Sequence, residues 1–294
     1  MGWGDLQSHL ELGPGVREVI ETVRKADLDG LQTLVREHPR ACNPYWPGRD
    51  GPPKPIPPQS IPLFAVCSCA RENTRGNTAD LAQALLDAGA DPNIRNSYPL
   101  TSAASFNRPD VTDALLDAGA VIDGVNDDGR PLVYAVYFGP DVAPILAERG
   151  ARLDLRTAAG IGHTDAMGTF FNTDGSLAAE TSSLRVAFCC NTPEHRRSEV
   201  LAQALIYASC NDRIEAVQML LHRGVDIDAM PDGFDFASTA LHRALRQKKE
   251  RVARLLIERG ADLTLQDGRY KRNALDSAEY QKLSDIITLI HSKT

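Results

Sequence analysis

Aromatic residues are scarce in this chain: Phe, Trp and Tyr together make up 6% of 294 residues. Positive charge is in deficit as well, with 32 Lys and Arg against 39 Asp and Glu and a formal net charge of −7. Non-specific nucleic-acid binding needs a basic field to displace counterions, so this balance disfavours it. No apolar run approaches the length that crosses a bilayer. Residues 1–15 lack a basic segment followed by an apolar stretch, so no secretory signal is expected. Leu6 stands where a myristoylation signal wants Ser or Thr. The expectation is a cytoplasmic chain with no membrane or nucleic-acid partner. Its 43% of hydrophobic residues is enough to build a core.

Metal-ligand spacing is also missing. The six cysteines are Cys42, Cys67, Cys69, Cys189, Cys190 and Cys210. Cys67 and Cys69 form C-x-C, and Cys189 and Cys190 are adjacent, but neither pair has a second ligand pair at zinc spacing. A chain of this length needs no disulfides to fold, so the cysteines read as reduced thiols. Neither a metal nor a cofactor is expected. The G-I-G of residues 160–162 does not follow a strand and so fails the context test for a dinucleotide loop.

What the sequence has is internal repetition. Residues 204–221, ALIYASCNDRIEAVQMLL, lie under 154–171 without a gap: Leu205 falls under Leu155, Ala208 under Ala158, Glu215 under Asp165. Residues 98–120, 239–261 and 273–290 fit the same frame. The shared pattern resembles the ankyrin repeat, most literally in T-A-L-H at 239–242, in G-A-D at 89–91 and 260–262, and in the G-H of Gly162 and His163. The resemblance implies an all-α solenoid of helix-turn-helix units. A single unit cannot bury its own apolar face, so units must stack. Thr239 suits a helix N-cap, Pro99 and Pro131 suit a first helical turn, and Gly162 suits a turn that needs positive φ. His163 is expected to order the turn into its second helix, and the resemblance implies that His242 ties neighbouring units by hydrogen bonds.

About eight units are expected in one domain spanning 1–294. Residues 1–43 form a degenerate N-terminal capping unit, and 61–177 hold repeats two to five. Residues 204–294 hold repeats six to eight with a polar C-terminal cap. Two stretches interrupt the array. Residues 44–60 are Pro-rich and read as a stiff extended connector. Residues 178–203 read as a helical insertion between units five and six, with a helix starting near Ser198.

In ankyrin arrays the concave face is built from the first helices and the finger tips. The resemblance therefore places Phe106, Tyr134, Tyr137, Phe138, Ile161 and Tyr207 along the centre of a groove, turning basic at Arg243 and Arg246. Aromatic clustering in an aromatic-poor chain points to binding anchors, and the arginines suit an acidic or carboxylate-bearing partner. The leading expectation is a non-catalytic scaffold that binds a protein in this groove. The alternative is a groove closed by 178–203 into a pocket for a small apolar or carboxylate-bearing ligand. There His195 or Glu194 would transfer protons and Asp165 or Tyr207 would orient the ligand. No nucleophile–base–orienter set is legible for that alternative.

Overall fold

The computed structural model describes residues 15–44, 57–69, 73–126, 129–178, 197–231 and 237–293. Among them are sixteen α-helices and no strand, with one isolated antiparallel bridge between Phe171 and Leu177. The chain divides into two compact units, Met1–Asp127 and Asp128–Thr294.

In the first unit the helices are α1 (Val16–Arg24), α2 (Leu28–Glu37), α3 (Pro62–Ser68), α4 (Thr78–Asp87), α5 (Ile94–Ser105) and α6 (Pro109–Asp117). They make two layers. The first helices α1, α3 and α5 pack in sequence, and so do the second helices α2, α4 and α6. Apolar residues at helical spacing meet between the layers, with Val19, Leu31, Leu63, Leu81, Leu85, Leu100 and Leu115 fully buried. The Asp27 carboxylate caps α2 by accepting from the Gly30 N–H (3.1 Å). Regular helix in α5 begins only after Arg95–Ser97, which hold positive φ, so Pro99 lies in its first true turn. The finger tips are joined by a recurring clasp. The Asn43 amide donates to Gly89 O (2.6 Å) while its carbonyl accepts from the Asp91 N–H (2.6 Å). Asn93 does the same to Gly119 O (3.0 Å) and the Val121 N–H (2.7 Å).

The second unit continues with α7 (Arg130–Phe138), α8 (Val142–Glu148), α9 (Leu155–Ile161), α10 (Thr164–Thr169), α11 (Arg197–Cys210) and α12 (Ile214–His222). It closes with α13 (Ala240–Arg246), α14 (Glu250–Glu258), α15 (Ala274–Gln281) and α16 (Ser284–His291). The first helices α7, α9, α11, α13 and α15 pack in that order, and α10, α12, α14 and α16 form the other layer. Pro131 sits in the first turn of α7. Thr239 and His242 form a reciprocal capping box on α13. The turn between paired helices is left-handed at Gly162 (φ 87), as expected from its sequence place. Asn107, Asp212, Lys248 and Lys282 take the same turn with positive φ, so the backbone path is retained where the glycine is not. The helix expected from Ser198 runs as the first part of α11, whose fourteen residues make it the longest regular helix of the unit.

Candidate functional site

The aromatic side chains of α7 define the first place to look. Phe138 is 45% exposed. Its ring meets Tyr137 edge-on at 4.7 Å and Tyr134 at 6.3 Å. Tyr137 in turn packs edge-on against Tyr207 at 6.1 Å, and the Arg243 guanidinium lies 4.4 Å from the centre of its ring. Tyr207 and Arg243 are only 1% and 4% exposed. The expectation that these two line an open groove is therefore corrected: they fill the inside of the cluster and hold Tyr137 in place.

The cause is Gly160. A Cβ at this position would lie 2.2 Å from Val136 Cγ1 and 3.3 Å from Tyr207 Cβ. Without a side chain there, α7 and α11 close over α9 and touch each other. Asn211, at the end of α11, seals the contact by donating to Val136 O (2.8 Å), and Arg213 Nε donates to Gly160 O (3.3 Å). Gly160 is buried, and Ile161, expected along the groove, is half-buried. Burial also pushes the Tyr207 phenol well above its ordinary range, with nearby Arg156 only partly opposing the effect. A phenol so placed stays neutral and is a packing group.

Beneath this cluster lies a charged network that the sequence reading missed. Arg156, 2% exposed, donates from Nε to Asp154 Oδ2 (2.8 Å), from Nη2 to the same oxygen, and from Nη1 to Gln203 Oε1 (3.1 Å). Asp154 also caps α9: its Oδ1 accepts from the Thr157 N–H (2.9 Å), and Thr157 Oγ1 accepts from the Asp154 N–H (2.9 Å). The network ties α9 to α11. The signal was present in the sequence: in the repeat frame Arg156 stands at the place of His242, a place that is buried.

The other expected residues lie on other elements. Phe106, in the first unit, is 39% exposed and packs edge-on against Phe64 at 6.1 Å, with Phe64 beside Tyr98 at 5.7 Å. Phe64 and Tyr98 complete that second aromatic surface and were not singled out from sequence. His163 caps α10, its Nδ1 accepting from the Ala166 N–H (3.3 Å), and Asp165 is exposed. The ring therefore orders the turn, and the two are not joined as an acid/base pair. Glu194, His195, Cys189 and Cys190 lie outside the described residues. His242 behaves as expected of it. Two backbone carbonyls, Leu265 O and Arg272 O (both 3.1 Å), face its Nε2, so that nitrogen carries the proton. Its Nδ1 then accepts from the Thr239 hydroxyl (2.8 Å). Desolvation lowers its pKa, which keeps the ring neutral in this tie between α13 and the finger that follows.

The pattern of Thr239-capped helices, left-handed turns and clasped fingers agrees with the family model "Ankyrin repeats (3 copies)", which matches residues 66–157 and 190–267, more than half of the chain. The chain belongs to the ankyrin repeat family. A 64-residue stretch of this ankyrin chain is 42% identical to palmitoyltransferase ZDHHC13 of Mus musculus, covering 22% of the chain and 10% of that protein. The match spans about a tenth of the length of that relative. The crystal structure of the ankyrin repeat domain of Bcl-3, described as a unique member of the IkappaB protein family, is similar over 93% of this chain and 97% of its own. It shares 20% identity at a TM-score of 0.39.

Within the ankyrin chain, Cys42, Cys67, Cys69 and Cys210 are free thiols. Cys67 is buried, which pushes its thiol up to about 12 and keeps it protonated. Among the described residues no three His, Cys, Asp or Glu side chains are grouped to hold a metal ion. No helix among them is long and apolar enough to cross a membrane. Arg246, the remaining expected site residue, is half-buried at the end of α13 and lines a small cavity against α15.

Proposed function

We propose that this ankyrin chain is a non-catalytic scaffold that captures a protein partner on the aromatic surface of α7. Its chain divides into about eight units: a capping unit (1–43), a Pro-rich connector (44–60), repeats two to five (61–177), an insertion (178–203) and repeats six to eight (204–294). Consecutive helix pairs support the repeat count, while α11 (Arg197–Cys210) runs continuously across the boundary at 203/204. Phe138, Tyr134 and Tyr137 form the contact face, Ile161 and Arg246 flank it, and Tyr207 and Arg243 support it from beneath. Phe106 presents a separate aromatic surface in the first unit. The observation that carries the reading is the exposure of Phe138 on rings that are themselves stacked and braced. A braced aromatic side chain loses little entropy on binding and suits a hot spot.

The test is capture of protein from a lysate of the source organism, read by cross-linking mass spectrometry, with wild type beside Phe138→Ala/Tyr134→Ala. Tyr137 is left intact because it braces the interior. The expected result is a cross-linked protein that disappears in the double variant. Equal capture by both forms would retire this surface.

A further inference from the structure

The cavity lies between the end of α13, the 265–272 finger and α15. Its volume is about 140 Å³, room for a side-chain headgroup and little more. Arg272 dominates its wall. The guanidinium lies 3.8 Å from the centre of the Tyr280 ring and 5.2 Å from that of Tyr270. Both rings are exposed, Tyr280 by 65%. Among the described residues no acceptor takes a hydrogen bond from this guanidinium, so its N–H groups are available to a ligand. An aromatic-braced guanidinium with an open N–H edge is the geometry that takes a planar oxyanion in two parallel hydrogen bonds.

Charge around the cavity narrows the ligand. Arg272 contributes a positive charge with no hydrogen-bond acceptor on it among the described residues. Asp267 contributes one negative charge, with its Oδ1 held by the N–H groups of Arg269 (2.8 Å) and Tyr270 (2.6 Å). His242 adds none, because burial keeps it neutral and its Nε2 is committed to backbone carbonyls. The planar fork of Arg272 suits a single carboxylate. The segment around it is positive in sequence: residues 237–293 hold twelve Lys and Arg against seven Asp and Glu, in a chain whose overall charge is −7.

We propose that this cavity is a carboxylate subsite that docks an acidic segment of a protein partner through Arg272. The proposal deepens the scaffold reading and rests on it for the protein nature of the partner. Gln281 fixes the cavity's back wall by donating from Nε2 to Arg246 O (3.4 Å), which joins α15 to α13 before any ligand arrives. The subsite is therefore preformed, and one Glu or Asp side chain of the incoming segment completes it.

The test is fluorescence anisotropy on the full chain with a labelled hexaglutamate peptide, beside hexaglutamine, a phosphotyrosine hexapeptide and hexauridylate. Hexaglutamate is expected to bind best, with affinity falling as salt rises. Arg272→Gln should weaken it about tenfold with an unchanged melting temperature, and Arg272→Lys should restore only part of the loss, since lysine keeps the charge without the planar fork. Tyr280→Ala, which removes an exposed brace and no charge, should weaken binding a few-fold, about the scale of a cation–π contact. Failure of hexaglutamate to bind, equal binding by Arg272→Gln, or preference for the phosphopeptide or hexauridylate would each overturn the subsite. If protein capture through Phe138 persists while hexaglutamate fails, the subsite is wrong and the scaffold stands. If hexaglutamate binds through Arg272 while capture does not depend on Phe138, the subsite stands and the α7 surface is wrong.

Discussion

Two clusters in the second unit are both built from tyrosine and arginine and have opposite fates. Half-buried Tyr137 stacks on Tyr207 and Arg243, which are both in the interior, the arginine 4% exposed. Tyr270, Tyr280 and Arg272 stack at the surface around a cavity. Residue type does not decide between them. The first cluster is closed because α11 packs against both α7 and α13 and a glycine lets α7 and α11 meet. The second sits on a finger and on the outward side of α15, so its guanidinium faces a void. A tyrosine–arginine pair is thus an adhesive within the fold or a contact for a partner according to the spacing of the helices around it.

The largest expected effect breaks the closed cluster from below. Arg156→Met leaves the Asp154 carboxylate buried without its cation, and removing one member of a buried pair costs about 3–5 kcal/mol. Thermal denaturation should show the loss, and a melting temperature within error of wild type would show that the network carries no weight. Gly160→Val comes next. Its Cβ must displace Val136 or Tyr207, and overpacking of this kind costs about 1–3 kcal/mol. Adding Val136→Ala should recover part of that loss by vacating the Cγ1 position; no recovery would place the strain elsewhere.

A smaller effect follows from His242, whose ring must be neutral in the folded chain. Its folded pKa is lowered by desolvation, so protonation favours the unfolded state. The stabilisation is complete above the unfolded value of about 6.5 and is lost progressively as the pH falls below it towards the folded value. Melting temperatures measured from neutral to mildly acidic pH should decline in the wild type more steeply than in His242→Gln; parallel curves would remove His242 as the cause. The smallest effect sharpens the comparison from its open side. Tyr280→Ala removes a ring that is 65% exposed and should change stability by no more than about 0.5 kcal/mol. A larger drop on denaturation would mean that the surface cluster is also structural.

The features legible in the sequence are the local ones. Thr239 as a cap, Gly162 in a left-handed turn, His163 over its own turn and Pro131 in a first turn each act within a few residues of their position. His242, which reaches across to the next finger, was legible only through the resemblance to the family. The repeat frame also located the helices themselves, because its apolar spacing is the spacing of the buried side chains. Burial of Tyr207 and Arg243 was not legible, because it depends on α7 and α11 meeting across α9, and the repeat frame describes contacts between neighbours only. The Asp154 cap starts α9 one residue later than the Thr239 frame would place it, so Arg156 was not recognised as an interior residue. Tyr270 and Arg272 lie in a finger, where the frame assigns no roles, and their pairing with Tyr280 appears only once α15 is packed.

The absence of one carbon atom at position 160 also sets how this protein can change over generations. Positions 136, 160 and 207 share one small volume although 71 residues separate the outer two. A side chain at 160 is accommodated most readily after the residue at 136 has become smaller. Substitutions at 136 and 160 are therefore coupled, and the order in which they arise matters even where the final combination is acceptable.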